Sequence, residues 1–180
     1  MIYTFLADGF EEIEALCPVD IMRRAGLSVT TVGIGKKEIV GSHGITVTAD
    51  VSDSDLEFED IDLIFLPGGM PGTKNLDNSK TVHKAIDLAI EQNAYIAAIC
   101  AAPIILGKRG LLNGKSAVCY PSFEEYLIGA KIPDGVKLVT DGKIITAMGM
   151  GVSHELGLEI VRLLCGSEQA CALKKAIIAV

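Results

Sequence analysis

The chain has no tryptophan, only three histidines (His43, His83 and His154), and aromatic residues make up 5% of it. Any catalysis must therefore draw on very few imidazoles. Its five cysteines, at 17, 100, 119, 165 and 171, are odd in number and form no Cys-x-x-Cys pair. That pattern argues against a disulfide framework and a zinc site, and it suits a reducing cytoplasm. Positive charge is also scarce: 16 basic side chains face 23 acidic ones, for a net charge of −7. With no basic cluster beyond Arg23-Arg24, Lys36-Lys37 and Lys174-Lys175, nucleic acid is not an expected partner. No apolar run reaches the ~20 residues of a membrane span. The opening Met1 to Asp8 has no basic leader, so a signal peptide is not expected either.

What is present is a soluble, slightly apolar composition, 49% hydrophobic and 22% charged over 180 residues. This is enough to bury a good core as one domain, 1–180. Apolar runs read as strands at 2–6, 27–32, 63–66 and 95–99, with a short strand at 116–119. Helical spacing covers 11–24, with a kink or restart at Pro18 and a stop at Gly26, then 81–92 and 153–164, the last with Ser153 as N-cap. Pro121-Ser122 opens a short helix through Leu127. Two polar turns, Gly41 to Gly44 and Asp141-Gly142, sit between β-branched runs and predict hairpins. Strands alternating with helices predict an α/β fold whose mostly parallel sheet is covered on both faces.

The stretch Tyr95 to Leu106 is an apolar strand, then Cys100, then small residues leading into an apolar helix. A residue on such an elbow has the free N–H groups of a helix start behind it, and these favour a thiolate, the reactive form of cysteine. Taken alone, Cys100 is equally a small core hydrophobe. Position decides between the two. Asp8 to Glu14, Pro67 to Gly72 and Cys100 all fall at strand carboxyl ends, where loops of parallel sheets converge on ligands. Gly68-Gly69 lets backbone N–H groups approach a developing oxyanion, although an ordinary tight turn needs the same residues. Glu14 borders the core face of its helix. A carboxyl held there beside a thiol is able to carry a proton at neutral pH, whereas Glu11 and Glu12 read as solvated residues of the first turn.

Four segments, Asp8 to Glu14, Pro18 to Gly26, Leu66 to Gly69 and Ala97 to Pro103, together resemble the ThiJ/PfpI superfamily, nearest to its deglycase branch. The match covers nearly the whole chain in order. The resemblance implies a flavodoxin-like three-layer sandwich, related to class I glutamine amidotransferases, usually as a homodimer. It places Cys100 as a cysteine readily oxidised to sulfinate, Glu14 as the protonated glutamate touching it, and Gly68, Gly69 and Ala101 as the backbone facing the sulfur. Arg24 matches an arginine near both the dimer interface and the site. His43 stands where relatives can carry an arginine that reaches the site across that interface. Relatives with glyoxalase activity carry a histidine after the elbow where this chain has Tyr120, whose pKa of ~10 makes it a poor neutral-pH base. His154 is the alternative imidazole, more simply read as a helix-start residue.

No cofactor or metal is implied. The activity the resemblance favours acts on small carbonyl compounds or glycated groups, as a glutathione-independent glyoxalase or deglycase. Alternatives are a redox-sensing or chaperone-like stress protein and, least favoured, an intracellular cysteine peptidase.

Overall fold

Seven strands form one sheet in the computed structural model, which describes residues 1–179. They are β1 (Ile2–Leu6), β2 (Val29–Gly33), β5 (Val51–Ser52), β6 (Leu63–Leu66), β7 (Tyr95–Ile99), β8 (Leu138–Asp141) and β9 (Ile144–Ala147). Across the sheet the order is β5-β2-β1-β6-β7-β9-β8, and every pairing is parallel except β8 with β9. A separate antiparallel hairpin joins β3 (Glu38–Val40) to β4 (Thr46–Thr48). The helices are α1 (Glu12–Arg24), α2 (Gly72–Asp77), α3 (Lys80–Glu91), α4 (Pro103–Lys108), α5 (Ser153–Cys165) and α6 (Ser167–Ala176).

The central strands are buried on both faces, and their alternating side chains feed two cores. Ile64, Leu66, Ile96 and Ala98 pack with Val82, Ala85, Ile86 and Ala89 of α3 and with Ile105 and Leu106 of α4. On the opposite face, Leu63, Phe65, Ala97 and Ile99 pack with Val19 and Met22 of α1 and with Leu156 and Ile160 of α5. The result is the flavodoxin-like sandwich. Its strand order reverses about β1 and β6, so the loops after β1, β6 and β7 open at one edge.

Several local expectations change. α1 runs without a break through Pro18, which is itself buried beside Val19; packing there offsets the missing backbone bond. Gly26, at φ +79°, ends that segment as expected. No strand forms at 116–119, where only a single bridge pairs Ser116 with Lys131. The Val118 N–H is instead taken by the Thr146 hydroxyl at 3.0 Å. The helix expected after Pro121 is one 3-10 turn, Glu124–Tyr126. Ser153 is the first residue of α5 rather than its cap, and its buried hydroxyl makes no hydrogen bond. The sequence reading also missed α2 and α6. Of the apolar ending expected to pack on the body or on a second subunit, Ile178 does not pack on the body, being 89% exposed, and Val180 lies outside the described residues.

Candidate active site around Cys100 and Glu14

Cys100 directly follows β7 and has φ +63°, a left-handed conformation that costs a non-glycine residue on the order of 1–3 kcal/mol. Two backbone bonds hold it there: its N–H donates to the Ala147 carbonyl and its carbonyl accepts from the Tyr120 N–H, both at 2.8 Å. The strain is thus fixed by neighbouring segments on each side. The elbow has the expected order of strand, thiol, small residues and helix. α4 starts only at Pro103, so a turn through Ala101 and Ala102 separates the thiol from the helix start.

Glu14 comes from the first turn of α1 and is 2% exposed. The Glu11 side chain caps this turn by accepting the Glu14 N–H at 2.6 Å. The Glu14 carboxylate accepts the Gly68 N–H at 3.1 Å and stands beside the Cys100 side chain. Gly68 is required at this spot: a Cβ there would lie 2.5 Å from Glu14 Oε2 and 2.6 Å from Cys100 Cβ. The amides of Gly69 and Ala101 act on the sulfur, whereas the Gly68 N–H, expected to face it too, is taken by Glu14.

Burial dominates the proton affinities of both acids. It pushes Glu14 up to about 7, against the neighbouring Cys100 side chain and the Gly68 hydrogen bond, which favour the charged form. It pushes Cys100 up to about 12, with the Glu14 charge adding to the shift, while the Gly69 and Ala101 amides pull the other way too weakly to reverse it. Cys100 stays a thiol while Glu14 is ionised, and it becomes a nucleophile by handing its proton to that carboxylate.

Of the other candidates, Tyr120 joins the site. A Cβ on Gly149 would lie 3.5 Å from the Tyr120 ring and 3.7 Å from Glu14 Oε1, so Tyr120, Gly149 and Glu14 meet at one point. Arg24 and His154 do not reach it. Arg24, ten residues along α1 from Glu14, bonds Asp20 at 2.6 Å on the exposed surface. Together with His154, Cys17 and Asp20 it lines a separate cavity of about 290 Å³.

His43 is one step removed from the pair. Its ring bonds Glu12 at 3.0 Å, and its N–H donates to the same carboxylate at 2.8 Å. Glu12 is thus buried and acts as a clamp on the β3–β4 turn, not as a solvated residue, and Gly41 leaves the room its side chain needs. Burial alone would raise the Glu12 pKa, but the bonds from His43 and Ile45 bring it down to about 2. Glu11, Glu12 and His43 also place one ligand atom each within 4.8 Å of one another, among the described residues. Since Glu12 is engaged with the turn, clamping is the role these contacts describe.

The sequence reading missed Met150, whose backbone amide favours the charged form of Glu14. The Gly149-Met150-Gly151 run after β9 was the available signal, since it ends a strand at the same sheet edge.

An elbow thiol beside a buried glutamate, at the carboxyl edge of a flavodoxin-like sheet, defines a class of α/β proteins. This chain belongs to the DJ-1/PfpI family, whose sequence profile matches residues 1–163. It is 38% identical over 167 residues to protein DJ-1 homolog B of Arabidopsis thaliana, covering 92% of this chain but only 38% of that longer protein. It is 28% identical over 169 residues to the glutathione-independent glyoxalase DJR-1.2 of Caenorhabditis elegans, covering 93% of this chain and 89% of that one. Among solved structures, oxidized DJ-1 of Toxoplasma gondii superposes with a TM-score of 0.92 at 31% identity, over 99% of this chain and 98% of that one. No helix among the described residues is long and apolar enough to cross a membrane.

Proposed function

We propose that the protein converts α-oxoaldehydes such as methylglyoxal to 2-hydroxy acids without glutathione. The observation that carries this reading is the buried Glu14 carboxyl set beside Cys100 around Gly68, with Glu14 lifted to about 7 and so able both to take and to give a proton at neutral pH. The Glu14 carboxylate removes the Cys100 proton as sulfur bonds to the aldehyde carbon. The resulting oxyanion takes that proton and leaves a hemithioacetal. Glu14, ionised again, then removes the hydrogen on that carbon, and the adjacent carbonyl becomes an enediol. A proton delivered to the second carbon gives a thioester, and water cleaves it to the hydroxy acid and the free thiol. One carbon is oxidised as its neighbour is reduced, so only water is consumed. The Gly69 and Ala101 amides stabilise negative charge at the sulfur. Without an imidazole at position 120, all proton transfer falls to Glu14.

Purified protein incubated with methylglyoxal and no glutathione should accumulate lactate, and Cys100→Ser should not. Equal inertness of the two overturns the proposal.

A second reading has its own support. Cys100 is part-exposed, and the two amides facing its sulfur suit an anionic sulfur acid. Two equivalents of peroxide would each deliver one oxygen and leave as water, giving the sulfinate. Intact mass after mild peroxide should then show a gain of two oxygens confined to Cys100. Oxidation spread over all five cysteines counts against it.

A further inference from the structure

Two residues that adjoin the Cys100–Glu14 pair, Tyr120 through its N–H on the Cys100 carbonyl and Gly149 next to Glu14 Oε1, also line an open surface groove. Beside Glu14 lies a groove of about 340 Å³, lined by Tyr120, Pro121, Met148, Met150, Val152 and Lys137. Gly149 forms part of its wall, and a Cβ there would lie within 4 Å of both the Tyr120 ring and Glu14 Oε1, which puts the groove next to the catalytic pair. The lining is predominantly apolar. It holds no acidic side chain, and its one cation is Lys137. Tyr120 and Met150 are each 51% exposed, so two large side chains with apolar surface stand in solvent at the mouth of a catalytic pair. Singly exposed apolar residues are ordinary, but several that share a groove with a reactive centre mark a binding surface.

We propose that this groove is the subsite for the substituent R of an R–CO–CHO substrate, and that it selects an aryl group over methyl. The inference rests on the oxoaldehyde reading for its reaction, but its selectivity comes from the groove alone. The flexible thioethers of Met148 and Met150 fit themselves around an aromatic ring, and the Tyr120 ring offers it an edge or an offset face. Burying a ring in such a site is worth about a tenfold gain or more in kcat/KM.

The test measures turnover and plain thiol reactivity side by side in the full chain. Wild type should use phenylglyoxal at least about tenfold more efficiently than methylglyoxal, and Met148→Glu, which sets a carboxylate in the groove, should bring that ratio close to one. In parallel, Cys100 alkylation by N-benzylmaleimide and N-ethylmaleimide is followed by peptide mass mapping, each rate normalised to that of glutathione. Wild type should favour the benzyl reagent by roughly fivefold or more, and Met148→Glu should abolish the preference. Equal normalised rates in wild type overturn the subsite, whatever the turnover result. A retained benzyl preference with no hydroxy acid formed supports the subsite and overturns the glyoxalase reading instead.

Discussion

Replacing Glu14 by glutamine should stabilise the protein at alkaline pH and change it little in acid. The folded chain holds the Glu14 proton up to about pH 7, whereas an ordinary glutamate releases it near 4.5. Between those values the folded state binds more protons than the unfolded one, so stability falls as pH rises through the window and levels off above it. The interval corresponds to about 3 kcal/mol at ~1.4 kcal/mol per pH unit. Glutamine does not titrate, yet its amide oxygen can still accept the Gly68 N–H, so the variant escapes this loss. Urea unfolding of both proteins from pH 4.5 to pH 8 gives the free energies directly, with equal m-values showing that the unfolded state is unchanged. The advantage of Glu14→Gln should grow by about 3 kcal/mol across the series. A difference that stays constant with pH would refute the reasoning, because it would mean that Glu14 titrates alike in both states.

Gly68→Ala drives a methyl group into both Glu14 Oε2 and Cys100 Cβ, and should cost about 1–3 kcal/mol in denaturant unfolding together with most of the oxoaldehyde turnover. Tyr120→His supplies the imidazole the site lacks, with a pKa near ~6.5, and should raise kcat for methylglyoxal by about tenfold or more; an unchanged kcat would show that Glu14 alone is sufficient. Glu12→Ala strips the acceptor from the His43 N–H and ring, and should lower stability by about 1–3 kcal/mol and speed amide exchange in the β3–β4 turn while α3 and β7 stay protected.

The parallel sheet, the two-sided burial of 63–66 and 95–99, and the meeting of three strand-end loops were legible because hydrophobic period and strand length act locally along the chain. Cys100, Glu14, Gly68 and Gly69 could be placed at one edge for the same reason. Less legible was anything set by a partner distant in sequence. Glu12 reads as a solvated first-turn acid until the β3–β4 turn folds over it and presents the His43 and Ile45 N–H groups. The stretch at 116–119 has strand character, but a side-chain hydroxyl from β9 takes its N–H. The proton balance of Cys100 was legible only in part: the elbow geometry suggests a stabilised thiolate, whereas burial and the Glu14 charge act in the opposite direction. Arg24 was linked to the site by resemblance and His154 by its place before the last helix near a sheet edge, and the fold of this single chain gathers them around a different cavity.

The central claim is that Cys100 and Glu14 act as one proton-sharing pair. The most direct measurement is the pH dependence of Cys100 alkylation by iodoacetamide, resolved by peptide mass mapping, in wild type and in Glu14→Gln. With the carboxylate present the thiol is held up at about 12. Removing that charge should move the Cys100 titration to lower pH by about one unit or more. Superimposable profiles in the two proteins would contradict the account.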